Sequence, residues 1–185
     1  MHVISGLAKR TKLMPIKKLN IRPTLGHIKE AIFNIIMFDV KDCVFLDLFS
    51  GTGSIGIEAL SRGSSKVVFV EKNLECVNLI KKNLAVTKLN KLNRSEVIHG
   101  NALEVIKNLV HKKIFFDIIF MDPPYYKKIA HNVLEILSEN NILSENGIII
   151  CETGLEILPE IKVFDFFRCE RYGKTKINFI RRKKN

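Results

Sequence analysis

Apolar positions change period along the chain, and the changes mark its elements. Ile28, Ala31, Ile32, Ile35 and Ile36 recur at intervals of three and four, which puts them on one face of a helix. Thr24, directly after Pro23, has the side chain to cap that helix, so a helix is expected from Thr24 to about Phe38. From residue 43 onward, short apolar runs alternate with helical stretches. Val44 to Leu48, Lys66 to Glu71, Ser95 to His99, Phe116 to Met121 and Gly147 to Glu152 read as strands. Between them, 54–62, 73–87, 101–111 and 128–139 read as helices, with Val77, Ile80 and Leu84 facing inward in the second. Such alternation means βαβ units, a mostly parallel sheet and helices on both faces. Residues 161–169 and 175–182 add two strands about Tyr172-Gly173-Lys174, a hairpin that makes the last strand antiparallel. Residues 2–14 fit a short hairpin around a basic turn. The expected fold is one doubly wound α/β domain over residues 1–185. A basic extension, 1–41, precedes an α/β core, 42–185, whose mostly parallel seven-stranded sheet carries an antiparallel edge.

Length and composition agree with that picture. A chain of 185 residues with 46% hydrophobic and 26% charged residues can bury roughly 70% of its unfolded surface without a disulfide or metal staple. No apolar run approaches the ~20 residues that span a bilayer, and no signal-peptide core opens the chain. A cytoplasmic monomer without membrane contact is expected. Cys43, Cys76, Cys151 and Cys169 stand far apart, without the paired spacing of a zinc site, and read as small buried hydrophobes in a reducing compartment. The five histidines are scattered singly, so no metal site is expected.

Charge is distributed unevenly. Residues 1–41 hold eight basic and two acidic residues, +6, and residues 162–185 hold nine and two, +7. The middle, 42–161, has thirteen basic and fifteen acidic residues, −2, so the two ends carry the whole excess behind the net +11. Codon bias toward lysine would raise the middle as well. A polyanionic partner is the better explanation.

Two constellations carry candidate chemistry. The first is Asp47-Leu48-Phe49-Ser50-Gly51-Thr52-Gly53-Ser54-Ile55-Gly56, which follows the first strand and opens a helix. Glycines at Gly51 and Gly53 let the backbone turn tightly and approach a ligand. Glu71 lies 20 residues beyond Gly51 and ends the second strand, where a carboxylate accepts both hydroxyls of a ribose. A dinucleotide would bring a pyrophosphate to the loop, and Asp47 would repel it. Asp47 suits a ligand with an ammonium and a sulfonium, S-adenosylmethionine. The second constellation is Asp122-Pro123-Pro124-Tyr125, at the end of the fourth strand. Each residue before a proline is held extended, so the strand ends in a rigid carboxylate, a carbonyl of fixed direction and an aromatic face. Asp122 and the Pro123 carbonyl can hold the two N–H groups of an exocyclic amine while Tyr125 stacks on its base.

With Glu71, the runs DLFSGTG and DPPY resemble the class I S-adenosylmethionine-dependent amino-methyltransferases. Residues 22–34 (RPTLGHIKEAIFN), the opening HVISG and the late Arg171-Tyr172-Gly173-Lys174 resemble the RsmD-like 16S rRNA (guanine-N2)-methyltransferase family. The resemblance implies a methyl donor over the glycine loop, with Asp47 facing its amino group, Glu71 its ribose and Asn101-Ala102 its adenine edge. Asp122 and Pro123 would meet the target amine of a guanine in small-subunit ribosomal RNA, and Lys9, Arg10, Lys12, Arg22 and Thr24 would contact the RNA. Rival readings are an adenine-N6 methyltransferase, a catalytically silent RNA-binding assembly factor and a nicotinamide oxidoreductase. Asp47 speaks against the last, and the intact Asp122 and glycine loop against the silent factor. The N6 enzyme, if it acts on DNA, is expected to carry a target-recognition domain for which these 185 residues leave no room.

Overall fold

A computed structural model of the chain describes residues 1–15, 26–124, 128–155 and 157–184. The core consists of β1 (Val44–Asp47), α2 (Ser54–Ser61), β2 (Lys66–Glu71), α3 (Leu74–Val86), β3 (Ser95–His99), α4 (Ala102–His111), β4 (Phe116–Met121), α5 (Ile129–Glu139), β5 (Leu143–Thr153), β6 (Phe164–Tyr172) and β7 (Thr175–Arg182), preceded by α1 (Gly26–Ile35). Two helices begin on asparagine caps, whose side chains accept from backbone N–H groups that the first turn leaves unpaired. Asn73 Oδ1 takes Glu75 and Cys76, and Asn101 Oδ1 takes Leu103.

The strands form one sheet in the order β3-β2-β1-β4-β5-β7-β6. From β1 the chain builds outward through β2 and β3, then returns to lay β4 and β5 on the other side, all parallel. The order reverses between β1 and β4, and such a switch point opens a crevice at the carboxyl ends of the strands. Period-two alternation sends Phe45 to one face of β1 and Leu46 to the other. Phe45, Val67, Phe69 and Phe179 pack with Ile28, Ile32, Ile57 and Ile80 from α1, α2 and α3. Leu46, Val68, Ile119 and Ile149 pack with Ile106, Val133 and Leu137 from α4 and α5.

Several boundaries differ from the sequence reading. The described helix α1 begins at Gly26, so its Thr24 cap, with Arg22, lies outside the described residues. The helix ends at Ile35 in a turn in which Asp39 N–H donates to the Ile36 carbonyl. β5 starts at Leu143, because Leu143 pairs with Phe116 ahead of an irregularity in the ladder. β6 runs three residues later than expected, through Tyr172. The antiparallel strand β7 pairs with β5 and lies one place in from the edge, which β6 occupies. A 3₁₀ turn over Leu89–Leu92 was not anticipated. Cys43, Cys76 and Cys151 are buried as expected, whereas Cys169 is exposed on the edge strand. No described helix is long and apolar enough to cross a membrane.

The N-terminal hairpin closes through one antiparallel bridge, His2 to Lys12, and docks along α2. Ile4 and Ser5 N–H donate to the two Glu58 carboxylate oxygens at 2.8 and 2.9 Å. Leu7 N–H donates to the Ser61 carbonyl at 2.8 Å and Ala8 N–H to Ser61 Oγ at 2.9 Å. Met14 N–H donates to Asn83 Oδ1 at 2.7 Å, and Asn83 Nδ2 in turn to the Thr52 carbonyl at 3.0 Å. The open end of the hairpin therefore sits beside the glycine loop, and its basic turn sits at the far end of α2.

Candidate active site

β1 delivers Asp47 to the crevice, and the next six residues turn back into α2. Asp47 is 1% exposed, and its Oδ2 accepts from Gly56 N–H in the first turn of α2 at 2.9 Å. Burial pushes its carboxyl up to about 7, a rise that the Gly56 N–H opposes and the charge of Glu71 increases. Ser50 pins the loop to the sheet: its hydroxyl donates to the Asp47 carbonyl at 2.7 Å and accepts from Val70 N–H at 3.1 Å. Gly53 N–H closes the turn onto the Ser50 carbonyl at 2.7 Å. Gly51 has φ +53, and a Cβ built there would meet no atom within 4 Å; a side chain would stand in the cavity instead of a ligand. At Gly56 the constraint is contact, since a Cβ would come within 2.3 Å of Phe69. Only glycine lets α2 pack this closely on β2.

Glu71 ends β2 and does more than the sequence suggests. Its Oε2 accepts from Gly51 N–H at 2.9 Å and its Oε1 from Asn73 N–H at 2.8 Å, tying the glycine loop to the start of α3. Each oxygen retains capacity for another donor, so a bound diol fits this brace. Asn101 has one Oδ1 lone pair engaged on Leu103 N–H, and Ala102 is buried behind it.

β4 delivers Asp122. Its carboxyl stands well above the usual carboxylate range, because of burial first, then the charge of Glu152, then that of Asp47. Pro123 is buried behind it, and Tyr125 lies outside the described residues. One cavity of about 360 Å³ is lined by Asp47, Gly51, Glu71, Asn101, Ala102, Asp122 and Pro124, with apolar walls from Phe49, Ile55, Leu103 and Ile129. Residues from four strand ends thus converge on one space. The charge of Glu71 adds to the rise at Asp47, and that of Asp47 to the rise at Asp122, a cost that a cationic ligand relieves. Its apolar walls suit a planar ring, and Glu71 suits a ribose, so the residues present fit S-adenosylmethionine.

Lys9, Arg10 and Lys12 are exposed but do not join this cavity. The α2 segment from Ser54 to Ser61 separates the basic turn from the glycine loop by roughly 10 Å at 1.5 Å per residue. Sequence reasoning also missed Glu152. Its strand was recognised, but only the β4–β5 register, Met121 beside Cys151, makes Glu152 the neighbour of Asp122. The buried pair of Lys29 Nζ and Glu58 Oε2, 3.3 Å apart, left no signal beyond two charges at ordinary helix positions.

Comparison with known proteins agrees with this geometry. The family model described as Conserved hypothetical protein 95 matches residues 1–181. The Haemophilus influenzae protein named Ribosomal RNA small subunit methyltransferase D is 37% identical over 162 residues, which cover 86% of this chain and 83% of that protein. Its Escherichia coli namesake is 28% identical over 155 residues, covering 84% and 75%. A solved Escherichia coli structure described as a methyltransferase superposes with a TM-score of 0.84 at 26% identity, covering 100% of this chain and 99% of the other.

Proposed function

The chain belongs to the Conserved hypothetical protein 95 family, and from that premise we propose that it methylates the exocyclic N2 amino group of a guanine in small-subunit ribosomal RNA. The observation that carries the reading is one cavity lined by the glycine loop, Glu71 and Asp122 together. S-adenosylmethionine, when bound, supplies a methyl group made electrophilic by its sulfonium. Asp47 faces the donor's ammonium, Glu71 its ribose hydroxyls, and Asn101 with Ala102 its adenine edge.

The remaining work belongs to the strand end of β4. Asp122 and the Pro123 carbonyl accept the two amino N–H groups of the base, which directs the nitrogen lone pair into the cavity. An amine conjugated to a purine is a weak nucleophile, and these acceptors stabilise the positive charge that develops on it. Holding the reactants together contributes as well. Tyr125 stacks on a base that must first leave its own stack.

The test uses tritium-labelled S-adenosylmethionine and small ribosomal subunits from a strain lacking its own enzyme. Digestion of the RNA should place the label in N2-methylguanosine. Label in N6-methyladenosine would reassign the target, and no label at all would favour the silent assembly factor.

A further inference from the structure

The two basic ends of the chain meet at one place. His27, in the first turn of α1, lies edge-on to Tyr172 at the end of β6, with ring centroids 6.2 Å apart. Sheet topology fixes where that contact stands. β7 runs antiparallel to β5, with Thr153 beside Lys176 and Glu152 beside Ile177, so the β6–β7 turn is at the carboxyl edge of the sheet. β4 ends on that same edge and delivers Asp122. Strands spaced ~4.8 Å apart put β7 and β6 about 10 and 14 Å from β4. The turn therefore stands on the edge of the sheet at which the cavity lies.

The charges at this turn differ from those elsewhere on the hairpin. Arg181 pairs with Asp165 at 2.9 Å and Arg168 with Glu170 at 2.9 Å. Arg171, Lys174 and Lys176 have no carboxylate partner among the described residues, and Arg171 spends only its Nε–H, on the Gly173 carbonyl at 3.1 Å. Arg171 and Lys176 are moreover direct cross-strand partners, a like-charge placement that destabilises a sheet. Uncompensated cations facing one another on that edge are suited to hold an anion between them.

We infer that Arg171, Lys174 and Lys176 form a phosphate clamp that grips the RNA backbone within a few nucleotides of the methylated base. The inference rests on the proposal that RNA is the substrate. It gives the β6–β7 turn on the carboxyl edge of the sheet, and not the turn of Lys9 and Arg10 at the far end of α2, the task of seating the target at Asp122. The guanidinium of Arg171 supplies a fork for two phosphate oxygens, and the two ammonium groups act as point charges.

The full-length protein is tested on the same small ribosomal subunits, with K174A/K176A compared against K183A/K184A. The second pair removes equal charge at the other end of β7, where Lys183 and Lys184 are also exposed. The turn variant should raise KM for subunits about tenfold, leave S-adenosylmethionine affinity by calorimetry unchanged, and lower the log–log salt slope of RNA binding by roughly 0.7 for each phosphate no longer gripped. The control pair should move none of these. Arg171→Lys keeps the charge but loses the fork and should bind the subunits more weakly than wild type, whereas Arg171→Glu should lose binding while melting normally. Equal weakening by the two lysine pairs would overturn the clamp and leave only diffuse attraction. A wild-type protein that binds S-adenosylmethionine but neither labels nor binds the subunits would instead overturn the RNA reading on which the clamp rests.

Discussion

Helix α2 has a set of buried charges on each side, and the two sets meet the cost of burial in opposite ways. On one side Lys29, 1% exposed, donates from Nζ to the His2 carbonyl at 2.9 Å and Ser54 Oγ at 3.1 Å, and lies 3.3 Å from Glu58 Oε2. Glu58, wholly buried, also accepts from Arg62 Nε and from two backbone N–H groups of the hairpin. Burial pulls the Lys29 ammonium below its ordinary pKa, and Glu58 partly restores it. Opposite signs and a full set of donors make this side a lock. At the strand ends Asp47, Asp122 and Glu152 share one sign: burial and then the charge of Glu71 lift Asp47, and burial and then the charges of Glu152 and Asp47 lift Asp122. A protein that needed only stability would not keep such a cluster. The lock holds the hairpin to the fold, whereas the acidic set is complementary to a positively charged ligand.

The largest expected effect comes from breaking the lock. Glu58→Ala leaves the buried Lys29 without its countercharge and two hairpin N–H groups without their acceptor, and should cost about 3–5 kcal/mol in denaturant unfolding. An unchanged midpoint would remove the lock as a source of stability.

The acidic side should respond with the opposite sign. Asp47 has a native pKa of about 7 against an ordinary 3.8, so between pH 4 and 7 the native state keeps a proton that the unfolded chain has released. The Asp47 contribution to the stability of the ligand-free protein should therefore fall as pH rises through that window, by roughly 1.4 kcal/mol per pH unit at most, and level off above it. Asp47→Asn should flatten that fall and weaken S-adenosylmethionine binding together. A wild-type pH profile in the variant would assign the titration elsewhere.

Asp122→Ala should lower single-turnover methyl transfer by about 10²-fold or more while donor affinity changes little, because the missing acceptor is aimed at charge that arises only during transfer. Asp122→Asn should be milder, since an amide oxygen keeps one acceptor. If Asp122 merely shapes the turn, both variants will melt lower and still turn over normally.

Glu71→Ala should weaken donor binding by about 1–3 kcal/mol in calorimetry. Because Glu71 also braces Gly51 and Asn73, Glu71→Gln separates the two tasks: a single amide oxygen can keep only one of the two braces. The smallest effect is expected from K9A/R10A, which should lower the salt slope of RNA binding by no more than ~0.7 per phosphate contact and leave KM near the wild-type value. A KM rise matching that of the β6–β7 turn variant would erase the distinction between the two basic ends.

Much of the site was legible in the chain because its signals are local. The glycine loop follows from backbone freedom at Gly51 and Gly53, the rigid end of β4 from two consecutive prolines, and the helices from their apolar period. Asp47, Glu71 and Asp122 each end a strand, and parallel strands in a doubly wound sheet end on the same edge, so even their convergence could be anticipated. Glu152 could not, because it became the neighbour of Asp122 through register alone. The second role of Glu71 was equally hidden, since it depends on two backbone N–H groups meeting one carboxylate.

The division falls where local interactions give way to distant ones. Residue order within each element determined the strands, the helices, the glycine loop and the basic character of both ends, since torsional preference and side-chain period act over a few neighbours. Tertiary structure alone decided that the turn bearing Lys9 and Arg10 lies at the far end of α2, while the turn of Arg171 and Lys174 stands on the carboxyl edge of the sheet. Net charge is a sum over residues and carries no position. Position came from the insertion of β7 between β5 and β6 and from the docking of the hairpin on Glu58 and Ser61, contacts between residues more than 20 apart in the chain.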